Sequence, residues 1–212
     1  SGDAATNGGG GVFNDGGALN VLPGTIISNN RAIGNAGSGG GIFSTAGTVN
    51  VTGNTTSIVS ITANSAVRAG GGIEIVDGIL NVTNTNILRN EVANIFINSA
   101  ISPAAPGNGG GIHVSGTNNT QVTLTGGTIE NNVAASEGGG LWNQSGSTLT
   151  INATGISFND ARGAIATNGG GGIFNNGGSV ILQNNASITS NRASGTAGSG
   201  GGIFNAENGI LT

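Results

Sequence analysis

The sequence is one phrase written seven times. Each copy opens with a run of glycines closed by an aliphatic residue, at 8–12, 39–42, 70–73, 109–112, 138–141, 169–173 and 200–203. The closing residues are Val12, Ile42, Ile73, Ile112, Leu141, Ile173 and Ile203, spaced 30, 31, 39, 29, 32 and 30 positions apart. Between the runs a second phrase, I-x-x-N, recurs at Ile27/Asn30, Ile61/Asn64, Ile87/Asn90, Ile129/Asn132, Ile156/Asn159 and Ile188/Asn191, each followed two residues later by Ala or Val. A short unit repeated at this period cannot bury a core alone; it does so by stacking on its neighbours, which is the definition of a solenoid.

Three segments per repeat alternate apolar and polar residues, the period of a strand with one buried face. The first follows the glycines, as in Ile73-Glu74-Ile75 and Ile112-His113-Val114. The second skips one residue at Leu19/Val21, Val49/Val51, Leu80/Val82, Val122/Leu124, Leu149/Ile151 and Val180/Leu182, and the third is built on the Ile of I-x-x-N. No segment keeps a helical period, and glycine interrupts too often for helices. The expected fold is all-β: a right-handed parallel β-helix of about seven rungs with three strands per rung. At about 4.8 Å per rung it forms a rod roughly 30–35 Å long. The 44 glycines, clustered at fixed offsets, then read as corner residues where side chains collide or φ is positive. The asparagines Asn30, Asn64, Asn90, Asn132, Asn159 and Asn191 read as a structural ladder. They end the third strand, tolerate the left-handed conformation there, and bond amide to amide along the stack.

Composition removes several functions. There is no lysine, the five arginines stand singly, and the net charge is −4, so the basic stripe that nucleic-acid binding requires is missing. No apolar run reaches the roughly 18–20 residues of a membrane-spanning helix, and membrane insertion is not expected. With no cysteine, disulfides and thiolate metal sites are excluded. No cofactor or metal is expected. Seven N-x-S/T sequons (Asn50, Asn54, Asn81, Asn118, Asn143, Asn152 and Asn185) read mostly as chance matches in a chain this rich in Asn, Ser and Thr.

Two rungs carry longer loops. From second to third strand the spacing is 10 residues at Val51–Ile61, against 5 or 6 elsewhere, and 19 residues separate Asn90 from Gly109. The second insertion holds Ile95-Phe96-Ile97, Pro103 and Pro106; it is expected to fold over the neighbouring corner, although insertions at a solenoid corner often face the functional side.

The glycine motif and the I-x-x-N motif together resemble the GGA[ILV] and FxxN repeats of the chlamydial polymorphic outer-membrane proteins and related bacterial surface β-helix adhesins. The likeness runs along essentially the whole chain, with Gly in place of the family's Ala and Ile in place of its Phe. The resemblance implies a secreted, surface-displayed, non-catalytic fibre or adhesin. The family's C-terminal transporter barrel is not among these residues, so its route of secretion is not part of what the resemblance implies.

A longer period lies above the first. Residues 4–43 match 165–204 at 24 of 40 positions, an offset of 161, so rung one resembles rung six more than rung two. The chain, a single β-helix domain over 1–212, is therefore expected to be a segment or protomer of a longer array. It begins with Ser1 rather than Met and closes on Gly209-Ile210-Leu211-Thr212 within an expected second strand. Uncapped end strands invite pairing, and head-to-tail contacts that do not close generate filaments. In the column after the ladder asparagines, Asp160 and Arg192 fall in neighbouring rungs and Arg31 is the counterpart of Arg192. These three are the expected markers of end-to-end register.

Catalysis by a β-helix of the polysaccharide-degrading kind needs two convergent carboxylates or an acidic cluster with a base. The nine carboxylates are scattered; the sharpest candidate is Glu74 with His113, which occupy one position in adjacent rungs, about 5 Å apart. No enzymatic activity is expected from them. Their column runs Phe13, Phe43, Glu74, His113, Trp142, Phe174, Phe204. It reads as an outward, largely aromatic stripe fit to meet a glycan or a neighbouring fibre. The leading expectation is an extracellular, cell-surface structural or adhesive β-helix that self-associates end to end. The alternatives are an ice-binding face on the second strand (Thr48, Asn50, Asn81, Thr123, Thr148, Thr150), interrupted by Ile79, Gln121 and Ile181, and a carbohydrate-binding or polysaccharide-degrading β-helix.

Overall fold

The computed structural model describes residues 8–34, 36–92 and 107–212, and every regular element among them is a β-strand. The strands form four parallel sheets, each strand paired with its counterpart one rung away. The protein is a parallel β-helix. The first sheet has seven strands, from Val12–Asp15 through Ile42–Thr45, Ile73–Val76, Ile112–Ser115, Leu141–Gln144 and Ile173–Asn176 to Ile203–Asn205. The second also has seven, from Ala18–Val21 to Ile210–Leu211. The third has six, from Ile26–Ser28 to Ser187–Thr189.

A fourth sheet of very short strands accompanies the three expected strands of each rung. Six two-residue strands, from Arg31–Ala32 to Arg192–Ala193, follow the ladder asparagines and pair in parallel. Their small apolar residues, Ala32, Ala66 and Val92, form a cluster separate from the main core. Two residues are too few to display an alternation, which is why the periodicity does not reveal them.

Register follows the glycine-run period. Val12 pairs with Ile42, Ile42 with Ile73, Ile73 with Ile112, Ile112 with Leu141, Leu141 with Ile173 and Ile173 with Ile203. From Ile42 to Ile173 this column is completely buried. With Val49, Val51, Leu80, Leu149 and Ile151 of the second sheet and Ile61, Ile87 and Ile156 of the third it forms one continuous core. Stacking is so regular that a single core residue is surrounded by its own equivalents above and below. The core opens at the last rung, where Ile210 and Leu211 are exposed.

The glycine runs make the corner into the first sheet. Gly39 has φ +61°, and a Cβ there would collide with the Ile42 carbonyl oxygen and lie 2.6 Å from the Phe43 Cβ. The next glycine packs against the fourth sheet: a Cβ on Gly40 would lie 2.5 Å from the Ser65 carbonyl oxygen. A positive φ at the first glycine turns the chain sharply, and the close approach of the Ile42 carbonyl leaves no room there for a side chain. The residues leading into each run consequently pass back over the strand that follows it.

The longer second-to-third connection of rung two is held by Asn54. Its Oδ1 accepts hydrogen bonds from the backbone N–H groups of Thr56 and Ser57, at 2.9 and 2.7 Å, so the insertion is an ordered turn. The insertion with Ile95, Phe96, Ile97, Pro103 and Pro106 lies outside the described residues.

Candidate functional site

The asparagine ladder is continuous from Asn30 to Asn191. In the interior each amide is satisfied three ways. Asn90, for example, donates from its backbone N–H and its Nδ2 to the Oδ1 of Asn132, at 2.9 and 3.0 Å. Its Nδ2 also donates back to the carbonyl of Ile61 at 2.9 Å, while its own Oδ1 accepts both bonds from Asn64. The asparagines do not themselves take the left-handed conformation. The residues before them do: Asn29, Ala63, Arg89, Asn131, Phe158 and Ser190 have φ between 53° and 58°. The turn tolerates such varied side chains because the amide ladder, locked on both faces of every rung, dictates the backbone beside it.

The column expected as an outward stripe is mostly interior. Phe43 and Glu74 are fully buried, and His113, Trp142 and Phe174 are 2, 7 and 3% exposed; only Phe13, at 49%, stands largely in solvent, with Phe204 half-buried. The residues that lead into the glycine runs cover it. Ser38 bridges to Ala69 and Ala69 to Asn108 in parallel, a further thread of pairing laid over the first sheet. The first sheet is therefore packed on both faces, and alternation along it does not mark one face as wet. Within the column the rings stack: Phe13 on Phe43 at 5.5 Å, His113 on Trp142 at 4.4 Å and Phe174 on Phe204 at 4.8 Å between centroids. This is an internal spine, not an aromatic contact surface.

Glu74 and His113 do meet. The two Glu74 oxygens lie 3.1 and 3.0 Å from His113 Nδ1. Arg68 Nη2 donates to Oε1 at 3.2 Å, and Ser115 Oγ donates to it at 3.0 Å. His113 Nε2 is buried without a hydrogen-bond partner among the described residues. Further along, Glu137 accepts from Trp142 Nε1 at 3.0 Å, Asn108 at 3.1 Å and Asn168 at 2.7 Å. Glu137 thereby ties the residues that enter the glycine runs to the aromatic spine. Each of these carboxylates accepts from residues of more than one rung and so ties neighbouring rungs together.

Other inward positions of the first sheet are also polar. Asn143 donates to the Oδ1 of Asn175 and Asn175 to that of Asn205, at 3.0 and 2.7 Å. Asn14 donates to Ser44 Oγ at 2.9 Å. In rungs three and four, Ile75 and Val114 occupy these positions, and only those two rungs showed the plain apolar alternation. Asn143, a sequon asparagine, is fully buried and its amide is used in this ladder. Nothing in the sequence distinguished this second ladder from turn asparagines.

Asp160 and Arg192 pair as their positions required. They are register partners in the fourth sheet, with Arg192 Nη2 2.9 Å from Asp160 Oδ2 and Arg162 Nε 3.0 Å from the same oxygen. Burial pushes the Asp160 carboxyl up, but hydrogen bonds from Arg192, Ser194 and Arg162 outweigh it and hold the group below the usual aspartate value. Arg31 lies at the equivalent position in rung one, beside Ser65. On the outer face of the second sheet, Asn50 donates to Asn20 and Asn81 to Asn50, each at 2.9 Å. Those amides are bonded to one another, and Ile79 interrupts the neighbouring column.

Comparison with protein-family models, curated proteins and solved structures finds no match.

Proposed function

We propose that this protein is a non-catalytic structural and adhesive β-helix of the cell surface, whose coil continues end to end as a fibre. The observation that carries the reading is the equivalence of rungs one and six. The residues shared at the 161-residue offset occupy matching places: Phe13 and Phe174 in the spine, Asn30 and Asn191 in the ladder, Arg31 and Arg192 in the fourth sheet. A repeat unit that maps onto itself along the axis can be extended without altering any column. Continuation by further chain or by a second copy uses the same contacts. Backbone pairing of the end strands and prolongation of the aliphatic columns supply the affinity.

The roles of the carboxylates support a non-catalytic role: Glu74, Glu137 and Asp160 are held by the hydrogen bonds already described, and Asp77 Oδ1 accepts the backbone N–H groups of Thr117 and Asn118. A mass measurement on the native polypeptide together with electron microscopy tests the assembly. Rods longer than one chain's stack of rungs are expected; single short particles from the intact natural polypeptide would refute it.

A further inference from the structure

The five arginines divide into two groups. Arg68 pairs with Glu74, and Arg162 and Arg192 pair with Asp160. The other two, Arg31 and Arg89, border one notch of about 430 Å³ at the corner between the third and fourth sheets. Among the described residues neither lies within ion-pair distance of a carboxylate, although Glu91 lines the same notch.

The notch exists because rung two is small where its neighbours are long. In the fourth sheet Arg31, Ser65 and Glu91 are stacked in register. In the adjoining left-handed column the residues are Asn29, Ala63 and Arg89. Ala63 and Ser65 thus form a floor, with long polar side chains rising from rungs one and three, about 10 Å apart along the axis. On a chain of net charge −4, two guanidiniums around one cavity form a local positive site. Guanidinium groups present a planar fork that matches a carboxylate. Glu91 and the Asn29 side chain add acceptors, which suit hydroxyl donors and oppose a densely charged polyanion. The volume lies in the range of small-molecule sites, roughly 300–1,000 Å³. A ligand that satisfies all of this carries one negative charge and several hydroxyls.

We propose that the notch between Arg31 and Arg89 binds a carboxylate-bearing sugar unit of an acidic polysaccharide. The carboxylate sits between the guanidiniums, and ring hydroxyls donate to Glu91. This deepens the adhesive part of the function proposed above and rests on it for its place outside the cell, but binding is measured on the protein without reference to assembly, so the two fail separately.

The test is a titration of the ¹⁵N-labelled protein with digalacturonic acid, its methyl ester, and inorganic sulfate, followed by NMR. Saturable shifts of the amides of residues 63–65 and 89–91 are expected with the acid and not with the ester. Arg31→Gln and Arg89→Gln should each weaken binding about tenfold or more, the loss of one charged hydrogen-bonding partner. Arg162→Gln, away from the notch, should leave it unchanged. No saturable shift with the acid, equal response to the ester, or unaltered affinity in both notch variants overturns the proposal. Sulfate binding as tightly as the sugar overturns it too, since the notch would then select a simple anion.

Discussion

Asn64 gives both its backbone N–H and its side-chain Nδ2 to a single acceptor, the Oδ1 of Asn90, each at 3.0 Å. The same double donation repeats from Asn30 to Asn191. One amide oxygen therefore fixes both the side chain and the backbone of the rung before it. Removing a member from the middle leaves two donors unpaired in a fully buried site.

Asn132→Ala should accordingly destabilise the protein by about 1–3 kcal/mol for each buried donor it leaves unpaired. Asn132→Asp should not rescue it, because the carboxylate accepts Asn90 but cannot donate to Ile87, and it buries a charge. Urea unfolding followed by circular dichroism reads the change. Unaltered midpoints for alanine at Asn64, Asn90 and Asn132 would show that the ladder does not hold the rungs.

Ile112 is fully buried between Ile73 and Leu141. Ile112→Ala should cost about 2–5 kcal/mol through the cavity it opens, and Ile112→Asp more, through an unpaired buried charge. Since each rung is supported by its neighbours, hydrogen exchange should show the loss of protection concentrated in the rungs on either side, from about 73 to 144. A uniform loss along the whole stack would contradict the solenoid's local cooperativity.

The single tryptophan reports on the internal spine. Trp142 is 7% exposed and stacks on His113, so its emission should be blue-shifted in the native protein. Glu74→Ala strips the partner from His113 and Arg68, a change of the type that costs about 3–5 kcal/mol at buried pairs. It should shift Trp142 emission to the red at lower denaturant than in the wild type. An exposed-tryptophan spectrum in the native wild type would restore the outward stripe.

Asp160 sets an acid dependence. Its folded pKa lies below the usual aspartate value, so its stabilising contribution is present above the unfolded value of about 3.9. It is lost as pH falls through the folded pKa. Asp160→Asn should flatten that part of the stability profile between pH 5 and the acid limit, and Arg192→Ala should do so partially, since Arg162 remains. A profile unchanged by Asp160→Asn would show that the pair is not linked to folding.

The repeat alone determined the coil and its axial register. Val12 to Ile203 and Asn30 to Asn191 fall in register because a parallel stack places each residue over the one a period away. Asp160 and Arg192 were paired by the same reasoning. Position along the axis is written in the sequence, but what covers a strand sideways is not. Phe43, Glu74 and His113 alternate as outward residues should, yet they are buried because the chain reverses at Gly39, Gly70 and Gly109 and returns over them. The fourth sheet and the left-handed Ala63 and Phe158 escaped detection for a related reason. Two residues carry no period, and one residue's φ is decided by the locked ladder beside it rather than by its own preference. The notch between Arg31 and Arg89 belongs to the tertiary structure as well, because it depends on which long and small side chains the stacking brings together.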